Sequence, residues 1–364
     1  MRRITPTLTA ELHAHCGDKF VWRVSAFPIS TFRALVEHVA RLAYANRDDL
    51  LFFRGQNKDY QSKAGGTTLY PAIYREDALA AREVRRRFEL LDRAARRLVE
   101  KFKTAAIDGH RELRQKLYIQ WSILQHYEVV PTPLLDLSQS LRVACSFAQM
   151  RSTDARCHVY VLGLPYITNR ISINSEHDIV IVRLLSICPP AALRPYFQEG
   201  FLAGTTDVTT DFDSKTELEF RHRLIAKFEI PRAQSFWGSG FEQIPETALY
   251  PRGDKILDLC NEIRAELRDE FAPGDLGEFI KEWVKLEDYL LTNARQRTER
   301  NISLREAIHV LAKEGTLSPE TARQLESLRS LRNAVVHKPD TVTASALREM
   351  LPLVRKLADQ YKKP

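Results

Sequence analysis

Residues 51–60 read LFFRGQNKDY. Leu51, Phe52 and Phe53 form a short apolar run suited to a buried strand, and Arg54, Gly55 and Gln56 stand where that strand should end. A guanidinium at the mouth of a strand can hold an anion, and a glycine beside it lets backbone approach a ligand closely. A second reading keeps Arg54 structural, buried and paired with Asp136.

The rest of the chain bounds these readings. It has 364 residues, 44% apolar and 28% charged, which is a globular composition with room for two domains or three. No apolar run approaches the roughly 20 residues of a membrane helix, and the first sixteen residues carry no signal-peptide core, so a cytoplasmic, bacterial protein without membrane partners is expected. The five cysteines are scattered without a CxxC pair, which argues against a disulfide framework or a zinc knuckle. His13, His15 and Cys16 form an H-x-H-C cluster with no second cluster to complete it, so no metal is expected. The net charge of +7 tilts the surface towards polyanions such as RNA or DNA. Between Ala81 and Lys116, twelve Arg and Lys accompany six Asp and Glu, with Val84, Phe88, Leu91, Ala95, Leu98 and Phe102 at helical steps. That pattern predicts one long amphipathic helix whose basic face is solvated by pairs such as Glu83 with Arg87.

Two textures divide the chain near Phe271–Gly277. Before it, strand-like runs (LLFFRG, HVYVLGL, DIVIVRLLSI, RHRLIAKFEIP) alternate with helices, which predicts an α+β domain. After it the pattern is helical: Phe279 to about Ala294, Leu304–Glu314, Pro319 to about Val336 with Pro339 closing it, and Ala344–Tyr361. Four helices with short loops predict an antiparallel bundle.

The stretch from Trp121 to Gln149, WSILQHYEVVPTPLLDLSQSLRVACSFAQ, adds a strand at Leu134 and Leu135, capping oxygens at Asp136 and Ser138, and an inward stripe of Leu141, Ala144 and Ala148. His126 and Asp136 can share a pocket, the carboxylate fixing the imidazole tautomer, or form a hydrogen-bonded pair that supports the turn around Pro131 and Pro133. Together the two stretches resemble the FRG domain family. The resemblance rests on Phe53-Arg54-Gly55, Tyr70-Pro71 with Arg75, Gln125-His126-Tyr127, Pro131 to Asp136, Ala144 with Phe147 and Ala148, Gln198 with Gly200, and the LIAKFEIP strand, over about residues 30–262. After Gln-His-Tyr, Glu128 replaces the family's usual glycine.

The order of these motifs is similar to that of ADP-ribosyltransferases. The resemblance implies an ADP-ribosyltransferase-like mixed sheet over 30–265, after a segment 1–29, using NAD as substrate. Arg54 would hold NAD, Ser138, or Ser140, would orient the nicotinamide ribose, and Gln198 or Glu199 would serve the acceptor. Gly55, Gln56, Tyr70, His126 and Tyr127 would complete the cofactor site. An amide cannot act as a base, and Glu199 on a strand would face away from Gln198.

Residues 330–340 read SLRNAVVHKPD. On a helix, Arg329, Asn333 and His337 share a face, with Arg332 on its flank. Arg332, Asn333 and His337 fit an Arg-x4-His spacing, and in a bundle over 275–364 this resembles the HEPN superfamily of metal-independent, dimeric ribonucleases. The combination looks like a phage-defence or toxin-type effector, with a nucleic-acid or translation-related target, a homodimer through the bundle, and an antitoxin or phage-derived trigger as expected partners. Non-catalytic binding and dimerisation is the remaining alternative.

Overall fold

The computed structural model describes residues 1–361 other than 64, 77, 78, 151, 207, 209–211, 213, 270–272, 299–301, 338–341 and 343. The chain divides into two compact units, Met1–Arg264 and Ala265–Pro364. Of the residues expected to mark a boundary or close a helix, Phe271, Ala272 and Pro339 lie outside the described residues. No helix among the described residues is long and apolar enough to cross a membrane.

The first unit is mixed α and β. Its strands are β1 (Phe27–Pro28), β2 (Leu50–Gln56), β3 (Leu135–Ser138), β4 (Arg156–Leu164), β5 (Ile171–Asn174), β6 (Ile179–Arg183), β7 (Gly200–Gly204) and β8 (Leu224–Pro231). They form one sheet in the order β1-β8-β4-β2-β3-β7-β6-β5. Only β1 and β8 run parallel among the described strands.

Successive side chains of β2 and β4 fall on opposite faces, as the twofold pleat requires. Phe53, Val159 and Val161 join one apolar cluster, with Phe32, Leu35, Val39 and Leu42, and Phe52, Tyr160 and Leu162 join another with Trp22, Leu135 and Phe201. Cover on both faces explains why these strands read as continuous apolar runs rather than alternating ones. A register shift at Val161/Leu162 opposite β8 is the local irregularity.

Among the described residues, ten helices belong to or begin in this unit: α1 (Ala10–Cys16), α2 (Phe32–Ala45), α3 (Ala81–Thr104), α4 (His110–Gln115), α5 (Leu117–His126), α6 (Leu141–Gln149), α7 (Leu184–Ile187), α8 (Arg194–Gln198), α9 (Glu246–Leu249) and α10 (Lys255–Asp269). Thr31 caps α2 by accepting from Ala34 N at 3.2 Å. Each fully buried side chain of its Phe32-Leu35-Val39-Leu42 stripe contributes about 1.5–3 kcal/mol. Arg223 is sealed in this unit with Asp49 at 2.6 Å and the Gly163 carbonyl at 2.7 Å.

Three expectations need correction. The basic stretch 81–116 is not one helix: α3 ends at Thr104, and Ala106 and Gly109 take φ of 49° and 84° before α4 begins. Glycine tolerates that left-handed turn at little cost. The Glu83–Arg87 pair does form, at 3.0 Å. The run DIVIVRLLSI divides into β6 and α7. The cap of α6 is Ser140, accepting from Val143 N at 3.4 Å, rather than Asp136 or Ser138, which are still on β3.

The second unit is helical: α11 (Pro273–Thr298), α12 (Leu304–Lys313), α13 (Pro319–His337) and α14 (Ala344–Tyr361). Phe279, Trp283, Leu286, Leu290, Leu311, Leu328, Val335, Leu351 and Val354 are among the side chains of its one core cluster. Ser303 and Glu306 form a reciprocal capping box at the start of α12.

Candidate functional site

Strand β2 pairs with β4 along its whole length, Leu50 to Gln56, and β3 pairs with β7 along its whole length. Between β2 and β3, by contrast, the register holds one pair among the described residues, Phe53 with Ser138. Past that pair, Arg54–Gln56 and Leu135–Leu137 line a cavity of about 630 Å³ instead of bonding each other. This volume lies within the roughly 300–1,000 Å³ of small-molecule sites.

Arg54 spans the gap. Its Nη1 donates to the main-chain carbonyl of Asp136 at 2.6 Å, an acceptor that a continuous ladder would have used. Its Nε is buried without a partner. Burial, and then the nearby Arg75 cation, bring the guanidinium down to about 10, against the opposing pull of Asp136. The group stays charged at neutral pH. The side chain is only partly buried and no ion pair joins it to the Asp136 carboxylate, so the sealed structural arginine does not describe this site.

Asp136 is the cleft's inner carboxylate, with its side chain 41% exposed. Burial raises its pKa, but His126, Arg54 and Gln125 outweigh that and hold the carboxyl below the usual carboxylate range. Gln125 Nε2 donates to Oδ2 at 2.6 Å, and Gln125 Oε1 is fixed in turn by the Thr132 hydroxyl at 2.6 Å. His126 Nδ1 lies 3.9 Å from Oδ1, a distance for an ion pair rather than a hydrogen bond. Its Nε2 is buried and unpartnered, so the proton is cheaper on Nδ1, facing Asp136.

The other wall comes from the segment after β2. Asp59 holds that segment through Tyr160 at 3.0 Å, Thr67 at 2.7 Å and the buried Lys227 at 3.0 Å. Tyr70 bonds Glu219, and Lys215 sits over its ring at 4.2 Å. At the far side, Phe147 and Tyr250 meet edge to face at 6.2 Å, and Arg194 lies 4.8 Å above the Tyr250 ring.

Of the residues singled out in the sequence, Arg54, Gly55, Gln56, Tyr70, His126, Ser138 and Gln198 line this one cavity. Several do so in roles other than those expected. The close approach at Gly55 is made by α6: a Cβ there would lie 1.9 Å from Ala144 O and 2.7 Å from Ala148 N. The Ser138 hydroxyl is engaged with the Gln198 carbonyl at 3.2 Å and accepts from Ser140 N at 3.0 Å. Gln198 donates to the Leu249 carbonyl at 2.8 Å.

Tyr127 and Glu199 are not among the lining residues. Tyr127 is fully buried and donates to Asp254 at 2.8 Å. Glu199 is on no strand: it ends α8 in the left-handed region, φ 45° and ψ 46°. Lining residues missed in the sequence include Tyr60, Lys215 and Tyr250. Gln125 was in a quoted motif without a role, whereas Tyr250, 114 positions after Asp136, carried no local signal.

In the second unit, Arg332 Nη1 donates to Asn333 Oδ1 at 3.2 Å and its Nη2 lies 3.9 Å from Glu287, which also accepts from Trp283 at 2.8 Å. Arg329 pairs with Glu326 at 2.6 Å. The His337 side chain lies outside the described residues. At the other end of the chain, His15 Nε2 contacts the Ser25 carbonyl at 3.0 Å and Cys16 is buried.

No curated protein and no solved structure matches the chain. The family model of the FRG domain matches residues 49–157, a narrower span than the expected 30–262. It takes in β2 with Arg54, the Gln125-His126-Tyr127 helix end, β3 with Asp136, and α6. Both strands bordering the cleft's gap thus lie inside the match, and the chain carries an FRG domain at residues 49–157.

Proposed function

We propose that the cleft binds NAD and that the first unit is an ADP-ribosyltransferase-like domain which transfers ADP-ribose to a nucleic-acid or translation-related acceptor. The observation that carries this reading is the Arg54 guanidinium, charged, anchored through Nη1 to the Asp136 carbonyl and lining an open cavity of cofactor size. A diphosphate there gains charge-assisted hydrogen bonds of about 1.5–3 kcal/mol each. Arg75 and Lys215 add positive charge to the lining.

In the transfer, the bond from the ribose C1′ to the nicotinamide nitrogen breaks and its electron pair leaves with the neutral nicotinamide. The acceptor's lone pair then closes on C1′ and its proton passes to solvent or a carboxylate. Such a cation-like centre needs anion clamps and a nearby electron-rich group more than a strong nucleophile. Ser138 and Gln198 are held in hydrogen bonds to backbone, so in this reading Asp136, rather than Gln198 or Glu199, is the carboxylate that serves the acceptor.

The test is binding and turnover with labelled NAD. Arg54→Lys keeps a charge but loses the fork that spans to Asp136, and is expected to weaken NAD binding at least tenfold, about 1.4 kcal/mol, in a protein that still melts cooperatively. Unchanged affinity in this variant would reject the reading.

A second reading concerns the terminal unit. Arg332 and Asn333 are joined and partly exposed on α13, with His337 following at the Arg-x4-His spacing. We propose for them a HEPN-like, metal-independent ribonuclease site shared across a homodimer of the bundle, as in a toxin or phage-defence effector, with the FRG domain as nucleotide sensor. RNA cleavage by the full chain that disappears in His337→Ala and persists in Arg54→Lys is the expected result under this reading. Cleavage unchanged in His337→Ala removes it.

A further inference from the structure

Outside the cleft, the first unit gathers aromatic rings and guanidinium groups on its surface. Phe20 is 50% exposed, and its ring stacks on the buried Trp22 with centroids 5.4 Å apart and planes 9° from parallel. Arg3 lies 5.1 Å from the Phe20 centroid, and Arg23 and Arg221 lie 4.8 and 4.3 Å from that of Trp22. The three cations come from distant parts of the chain, so folding assembles the cluster. Arg23 ends the one-turn 3-10 helix Val21–Arg23, and Arg221 sits in the turn before β8. Arg3 is fixed by its neighbours: Arg2 N donates to the His177 carbonyl at 3.0 Å and Ile4 N to that of His222 at 3.1 Å. Among the described residues, Arg221 is the one of the three with a carboxylate partner, the buried Glu219 at 2.9 Å, while Arg3 and Arg23 are exposed and paired with none. Asp18 and Lys19, both exposed in the loop before Phe20, offset each other. The uncompensated charge is felt nearby: after burial, Arg3 and Arg221 are what bring the His222 imidazole down to about 4.

A solvated basic surface needs no aromatic ring. An open ring flanked by unpaired guanidinium groups suits a ligand with flat apolar faces strung on a chain of anions, which is the chemistry of an unpaired polynucleotide. A duplex hides its base faces in the stack and offers mainly phosphates, and an acidic peptide would satisfy the cations and leave Phe20 in water. We infer that Phe20, Trp22, Arg3, Arg23 and Arg221 form a docking surface for single-stranded nucleic acid, on which a base extends the two-ring stack at Phe20 while Arg3 and Arg23 meet the flanking phosphates. Arg3, whose side chain is exposed, turns from the ring to a phosphate as the base arrives. The inference goes beyond the reading of the cleft and does not require that NAD be the ligand there. The two sites are nonetheless joined: Glu219, which holds Arg221, also accepts from Leu69 N at 3.3 Å and bonds Tyr70, and Leu69 and Tyr70 line the cavity.

The experiment follows the fluorescence anisotropy of end-labelled oligouridylate and oligothymidylate, each of about 12 nucleotides, on titration with the full chain across a salt series, with the matching DNA duplex and an oligoglutamate peptide alongside. The two single strands tell RNA from DNA, and melting confirms that each variant folds. Phe20→Ala, at a half-exposed position, is expected to weaken single-strand binding about tenfold without altering the salt slope, and Phe20→Trp to restore it. The double variant Arg3→Gln, Arg23→Gln should reduce the slope of log affinity against log salt by about 1.4, two phosphate contacts at about 0.7 each. The duplex should bind more weakly than either strand and be indifferent to Phe20→Ala. Single-strand affinity unchanged in Phe20→Ala, a slope unchanged in the double variant, or no binding of either strand would overturn the inference. Oligoglutamate bound as tightly as the oligonucleotides would overturn it too, in favour of an acidic peptide.

Discussion

Gly55 is the residue whose replacement tells most about the cleft's architecture. An added methyl would meet two backbone atoms of α6, Ala144 O at 1.9 Å and Ala148 N at 2.7 Å, and neither can swing away as a side chain would. Gly55→Ala is therefore expected to destabilise the protein by about 1–3 kcal/mol or more, read as a lower urea midpoint, and to weaken ligand binding through the displaced helix. Lys227 offers a second residue-level test. It is fully buried against Asp59 and Thr67, at 3.0 and 2.7 Å, so Lys227→Met leaves a carboxylate without its cation and should cost about 3–5 kcal/mol. Chemical denaturation measures it, and a cost below 1 kcal/mol would mean that Tyr160, Thr67 and Gln61 suffice for Asp59. Much of the site could be read from residue types. Arg54 declared itself as a cation at the end of an apolar run, whereas Gln56, Tyr70 and His126 came from the resemblance to the FRG family. Roles were harder to read than positions. Whether a serine hydroxyl faces a ligand or a carbonyl depends on atoms far along the chain, here Gln198 for Ser138.

Among the elements, strands and helices with strong local pattern were legible, and those built by tertiary pairing were not. LLFFRG and LIAKFEIP became β2 and β8, and three of the four terminal helices end within a residue of the pattern. The first of them, α11, runs further in both directions, Pro273–Thr298. By contrast β7, GFLAG, has two glycines in five residues and exists because β3 and β6 flank it. The break between α3 and α4 was hidden because charge and apolar spacing continue through Ala106 and Gly109, whose left-handed backbone no periodicity reports. The best-marked terminus is that of α12, where Ser303 and Glu306 cap each other's backbone. Ser303→Ala should weaken this end by about 1 kcal/mol, and faster amide exchange in the first turn of α12, with the sheet's exchange unchanged, is the expected signature.

For the molecule as a whole, pH should act through histidines that burial keeps neutral. Burial first, then Arg3 and Arg221, bring His222 down to about 4, and burial likewise lowers His158 and His177. In the unfolded chain these rings titrate near 6.5. As pH falls through that value the unfolded state takes up protons that the folded state refuses, so stability is expected to decline from about pH 6.5 towards 4. Below that, the depressed carboxyls of Asp59 and Asp136 take protons in both states and their stabilisation is lost as well. Urea midpoints measured from pH 7 down to 4.5 should trace the decline, and His222→Gln should flatten part of it; a midpoint constant over that range would contradict the assignment.

The lone Phe53–Ser138 pairing has a mechanical side. The chain leaves β3 through Gln139 and Ser140 and lays α6 against Gly55 of β2. Gly55 lies two residues beyond the Phe53–Ser138 pair, within the open stretch, so α6 acts as a wedge that fixes how far the two strands stand apart, and Arg54 reaches across that fixed distance to the Asp136 carbonyl.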